Sequence, residues 1–175
     1  MSEPLTQQRL NDAAGVSAIE VLIVLAMVCV IAGFACVRLI QEQRATSRKS
    51  TAVEFATLLQ KARIDSMRRN AKDLNQMAQV KVFNRSMYSV AIDADGDGYL
   101  DIPLVTSLEE QGVEINGPFP KTFIFDWLGQ TVDSQNHRST PPIVTVGNGS
   151  GASAVKFTET GDIVVVPATK PDAAR

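Results

Sequence analysis

From Ser17 to about Asn70 the chain holds no Pro and a single Gly, Gly33, and its apolar pattern changes character halfway. Val21 to Val37 is an unbroken apolar run. About 20 apolar residues cross a bilayer core, so this half predicts a membrane span over 16–37. Beyond it the pattern becomes periodic. Val53, Ala56, Leu59 and Ala62 recur at spacings of three, with Phe55, Leu58 and Met67 beside them. Arg44, Arg48, Lys49, Glu54, Lys61, Arg63, Asp65 and Arg68 fall mainly on the other faces. That is an amphipathic stripe, and it predicts a helical half over 38–70. One continuous helix of this length would be roughly 80 Å long at 1.5 Å per residue. Arg68-Arg69-Asn70 suits its end, because cations favour the negative pole and Asn tolerates a left-handed cap.

After Asp73 the period falls to two. Ala78–Phe83 and Met87–Ile92 alternate and read as strands, with Asn84-Arg85-Ser86 turning between them. Further strands are expected at Ile102–Val105, Val113–Ile115, Thr122–Phe125, Ile143–Val146, Val155–Phe157 and Ile163–Val166. Gly117-Pro118, Gly129, Pro141-Pro142 and the Gly147–Gly151 stretch separate them. The expectation is an α+β fold: a long N-terminal helix packed on a twisted antiparallel sheet or two-sheet domain over 71–168, then a frayed tail over 169–175.

Charge and cysteine usage narrow the classes. Of 175 residues, 17 are Lys or Arg and 19 are Asp or Glu, for a net charge of −2. That balance argues against a general nucleic-acid binder. Cys29 and Cys36 both lie in the apolar run, seven apart on one helix face, where they cannot bridge each other. They read as small apolar packing residues, and the β-rich part has no cysteine to oxidise. The first fifteen residues are polar and lack an apolar core of the secretory type. Arg38, Arg44, Arg48 and Lys49 follow the apolar run, which by the positive-inside rule alone favours a cytoplasmic β-rich part.

Glu20 stands at the start of the apolar run, where a carboxylate costs roughly 2.5–3.5 kcal/mol at the span centre even on a lenient insertion scale. Cleavage after Gly15 would leave a free amine on Val16, with Glu20 one helical turn away. Gly15, Val16 at +1, and Glu20 at +5 of an apolar helix resemble the processing signal of type IV prepilins and pseudopilins. The resemblance implies cleavage between Gly15 and Val16 by a membrane prepilin peptidase, N-methylation of Val16, and pairing of Glu20 with the terminal amine of a neighbouring subunit. It departs from the usual pattern at Val16, where Phe or Met is common, and at Val37, where many members carry Pro.

The segment Leu58–Asn70, with its Ala62-Arg63 and Arg68-Arg69-Asn70, is similar to the helix end of the H-type minor pseudopilin of type II secretion and of the T-type minor pilin. Phe125-Asp126-Trp127-Leu128-Gly129 and Phe157-Thr158-Glu159-Thr160-Gly161 are similar to that group's paired Phe-x-x-x-Gly turns. DNA-uptake members carry a basic phrase after the second turn. Here Gly161-Asp162-Ile163-Val164 puts an acid in its place, against phosphate neutralisation. The implied partners are other pilins or pseudopilins, the prepilin peptidase and an inner-membrane assembly platform. The implied location is the inner membrane, with the β-rich part in the periplasm.

Asp93-Ala94-Asp95-Gly96-Asp97-Gly98-Tyr99-Leu100-Asp101 is the sharpest motif outside the helix. Asp93, Asp95, Asp97, the Tyr99 carbonyl and Asp101 match loop positions 1, 3, 5, 7 and 9 of a calcium loop, with Gly98 at the sharp turn. Position 12, normally a bidentate acid, is Leu104, so Glu109 or Glu110 would have to fold back to complete it. The other reading is a solvated polar hairpin tip, since Asp-Gly pairs favour turns. Both stand. Arg68 and Arg69 read as a solvated helix end or as partners of Asp65 or Asp73. Trp127 reads as a core or sheet-edge anchor. His137, the only histidine, reads as a solvated loop residue, and no nucleotide-binding phrase is present, so no enzyme is expected. The expected function is structural: a minor pseudopilin at the tip of a type II secretion pseudopilus. The rivals are a minor type IV pilin for pilus assembly or DNA uptake, and a membrane-anchored calcium-binding periplasmic module.

Overall fold

The structure, a computed structural model, describes residues 17–148, 151–158 and 162–168. Helix α1 runs Ala18–Arg69 without a break, as the absence of Pro requires. It ends at Asn70, which takes the left-handed conformation at φ 55°. Nine strands follow among the described residues: β1 (Gln79–Asn84), β2 (Met87–Ala91), β3 (Leu104–Ser107), β4 (Glu114–Asn116), β5 (Lys121–Phe125), β6 (Thr131–Val132), β7 (Val144–Gly147), β8 (Ala152–Phe157) and β9 (Ile163–Ala168). They form two antiparallel sheets, ordered β3-β2-β1-β5-β6 and β4-β7-β8-β9. The fold is α+β, as expected from the switch in period.

The chain divides into two compact units, the second being Glu42–Arg175. In the first, every described residue to Gln41 is exposed, Leu22 and Phe34 included. This part of α1 is long and apolar enough to cross a membrane.

In the second unit α1 supplies one wall of the core. Ala52, Phe55, Ala56, Leu59 and Ala62 are buried with Val80, Val82, Tyr88, Phe123 and Phe125 of the first sheet and Ile115, Val144, Val146 and Val155 of the second. The alanines leave room for the strands, and Phe55 fills the space between them. Its ring lies edge-on to Tyr88 at 5.3 Å and to Phe123 at 6.4 Å. The buried face differs from the expected stripe. Val53 and Met67 are exposed and Leu58 is half-buried, whereas Ala52 and Thr51 are buried. Positions 52, 55, 56, 59 and 62 keep the i, i+3, i+4, i+7 spacing, and Val53 sits about 100° round the helix from Ala52. Asp65, expected on a polar face, is buried too.

Strand ends move for local reasons. Asn84 belongs to β1, pairing with Met87, and its Oδ1 accepts from the Ser86 N–H, so the hairpin turn is Arg85-Ser86 alone. β3 starts at Leu104 rather than Ile102, because Pro103 has no N–H to give a ladder. β6 was not foreseen; two residues carry no period.

Candidate functional site

Gly15 and Val16 lie outside the described residues. Glu20 is exposed in the first turn of α1, where its N–H donates to the Ser17 carbonyl at 2.9 Å. Among the described residues no group pairs with its carboxylate. The positive pole of the helix favours an acid at this end. Glu20 is therefore an exposed acid in the first turn of an apolar helix.

The other end of α1 holds a cluster that the sequence showed only in part. Arg69 Nη2 donates to Asp65 Oδ2 at 2.6 Å and to the Gln76 carbonyl at 2.6 Å, and Arg69 Nε donates to Asp65 Oδ2 at 3.1 Å. The same Nε lies 3.5 Å from Asp93 Oδ2. Arg68, largely exposed, reaches Asp65 Oδ1 at 3.3 Å and the Asp93 carbonyl at 3.4 Å. Asp65 is thus the partner of both arginines. Asp73 takes another role, its carbonyl accepting from the Gln76 and Met77 N–H groups. The 65–69 spacing was legible as an i, i+4 pair. The approach of Asp93 was not, because it depends on how β2 returns to the helix end.

Asp93 opens the Asp-rich loop and is buried. Its carboxylate accepts the Gly96 N–H on Oδ1 and the Gly98 N–H on Oδ2, the latter at 2.9 Å. Burial pushes the Asp93 carboxyl up, but the Gly98 and Gly96 N–H groups and the Arg69 guanidinium outweigh it and hold the carboxyl below its usual range. Asp95 accepts from the Asp97 N–H at 3.1 Å, Asp97 from the Tyr99 N–H at 2.8 Å, and Asp101 from the Ala94 N–H at 2.7 Å. Carboxylate oxygens of Asp93, Asp95 and Asp97 lie within 4.8 Å of one another. These three, with the Tyr99 carbonyl and Asp101, could offer oxygens to a calcium ion. The closing acid does not come from Glu109 or Glu110. They form a 3-10 turn after β3, and Glu109 Oε1 accepts from Ser86 Oγ at 3.3 Å, beside the β1–β2 turn. That is the opposite end of β2 from the loop, roughly 17 Å away along a five-residue strand. Leu104 at position 12 is exposed. The loop is therefore a set of single-oxygen donors already tied by backbone N–H groups.

The turn after β5 explains its glycine. Asp126 Oδ1 accepts from the Leu128 and Gln130 N–H groups, and Gly129 stands at φ +74°. A Cβ there would meet Met67 Sδ at 2.6 Å and Arg63 Nε at 2.7 Å. Arg63 Nε donates to the Gly129 carbonyl at 3.0 Å, so the helix clasps this turn. The second Phe-x-x-x-Gly turn lies partly outside the described residues. Trp127 is not core; it is about two-fifths exposed, with Lys72 Nζ 5.6 Å from its ring. His137 is exposed and 3.9 Å from Asp133.

No family model, curated protein or solved structure matches the chain. The architecture nevertheless defines a class in plain terms: one long N-terminal apolar helix whose second half packs on antiparallel sheet, a pilin-like arrangement.

Proposed function

We propose that this chain is a minor pseudopilin, a structural subunit at the tip of a type II secretion pseudopilus, matured by a prepilin peptidase. One observation carries the reading: an acid with no partner among the described residues stands in the first turn of an exposed apolar helix, five positions after Gly15. The apolar half of α1 stores the subunit in the inner membrane, with the sheet domain in the periplasm. Removal of residues 1–15 exposes the Val16 amine, which is then N-methylated. Glu20 pairs with the amine of a neighbouring pilin or pseudopilin, because a desolvated charge in lipid favours the bundle that neutralises it. The assembly platform lifts the subunit, and the sheet domain makes lateral contacts. A minor type IV pilin, for pilus assembly or DNA uptake, would use the same steps. A membrane-anchored calcium-binding periplasmic module would use the same anchor but need no cleavage after Gly15.

Intact mass of the protein purified from its host tests this. The expected chain begins at methylated Val16. A chain retaining residues 1–15 in cells with an active peptidase refutes the proposal. Glu20→Ala should leave membrane insertion intact and lower incorporation into filaments; unchanged incorporation removes the role given to Glu20.

A further inference from the structure

Among the described residues strand β3 is an edge of the five-stranded sheet, paired with β2 on one side only. Alternate residues of an antiparallel edge turn their N–H and C=O groups outward. Natural edges of this kind are guarded by shortness, by charge, by Pro or by a bulge, and of these β3 shows shortness, with four residues. Leu104-Val105-Thr106-Ser107 has no charge and no Pro, and its pairing with β2 is regular over all four residues. It is also apolar outward. Ile102 is 93% exposed, Leu104 68% and Val105 55%, with Tyr99 at 70% in the loop before them. Leu104 pairs with Val90 and Val105 with Ser89, so large exposed apolar side chains flank the open ladder on both faces of the sheet.

Charge decides what fits there. The strand is bracketed by acids: Asp95, Asp97 and Asp101 precede it, and Glu109 and Glu110 follow it. A second copy pairing antiparallel through β3 would set the Asp loop of one chain against Glu109 and Glu110 of the other. Parallel pairing would set Asp loop on Asp loop. Like charges directly opposed destabilise strand pairs, so the acids discourage self-pairing while leaving the ladder open. We infer that β3 is a docking edge for an extended apolar segment of another protein, carrying Lys or Arg at both ends. Such a segment adds a strand beside β3, lays its apolar side chains on Ile102, Leu104 and Val105, and places its cations against the two acidic flanks. This inference rests on the edge and its flanks alone and holds whether or not the chain enters a filament.

The test uses the full-length chain in detergent with EDTA and two probe peptides of alternating valine and threonine. One is flanked at each end by two lysines, the other by two glutamates. Binding is read by amide chemical shifts at Ile102 and at residues 104–107. The lysine-flanked peptide is expected to shift these amides and to bind roughly tenfold or more tightly than the glutamate-flanked one, with affinity falling as salt rises. Leu104→Asn with Val105→Asn, both at exposed positions, should weaken it by a similar factor at unchanged melting temperature. Glu109→Lys with Glu110→Lys should weaken the lysine-flanked peptide and strengthen the glutamate-flanked one. No binding by either peptide, equal binding by both, or insensitivity to these substitutions overturns the inference.

Discussion

Replacing Arg69 with methionine removes the cation on which the end of α1 and the start of the Asp loop converge. Arg69 is 11% exposed at the side chain, Asp65 6% and Asp93 0%. Breaking a buried ion pair by deleting one partner costs about 3–5 kcal/mol, because the remaining charge stays buried. Arg68 still reaches Asp65 from the surface at 3.3 Å, which places the expected loss at the low end, about 3 kcal/mol. For a domain of this size that is a fall of about 12 °C in Tm. Thermal melting of the compact unit Glu42–Arg175 measures it. Adding Asp65→Asn to Arg69→Met should recover part of the loss, since one stranded charge is removed, whereas Asp93 needs both carboxylate oxygens to accept the Gly96 and Gly98 N–H groups. The pH dependence has a definite sign. The folded-state carboxyl of Asp93 is held below its usual range, so its contribution is present above about pH 4 and is lost as pH falls through the folded value. Arg69 is one cause of that depression. The gap in Tm between wild type and Arg69→Met should therefore narrow in acid. A gap that stays constant or widens, or a loss under about 1 kcal/mol at neutral pH, would refute the reasoning.

Phe55→Ala should cost about 3–5 kcal/mol, while Val53→Ala two positions away should stay within about 0.5 kcal/mol; equal effects would mean the helix presents a different face. Gly129→Ala should destabilise by more than about 1 kcal/mol, from positive φ and from contact with Met67 and Arg63, and a neutral result would contradict the turn geometry. The ion reading of the Asp loop requires that millimolar calcium raise the Tm of the Glu42–Arg175 unit over that in EDTA, and that Asp97→Asn abolish the rise. The polar-turn reading requires no rise in either.

Much of this protein follows from local pattern. An apolar run with no Pro makes a helix long and apolar enough to cross a membrane, and a stripe at helical spacing makes a helix whichever way it is rolled. The β1–β2 hairpin, the Asn70 cap and the order of strands along the chain need only alternation and turn residues. Tertiary structure decided the rest. Which face of α1 is buried depends on how closely two sheets approach it, and that selects Ala52 over Val53. Glu109 was legible as an acid near the Asp loop in sequence, yet antiparallel pairing of β3 with β2 carries it to the far end. The meeting of Asp65, Arg69 and Asp93 joins residues 28 apart and exists only because β2 ends beside the helix terminus. Glu20 belongs to the first group. Its place in the first turn of an apolar helix needs only the local sequence.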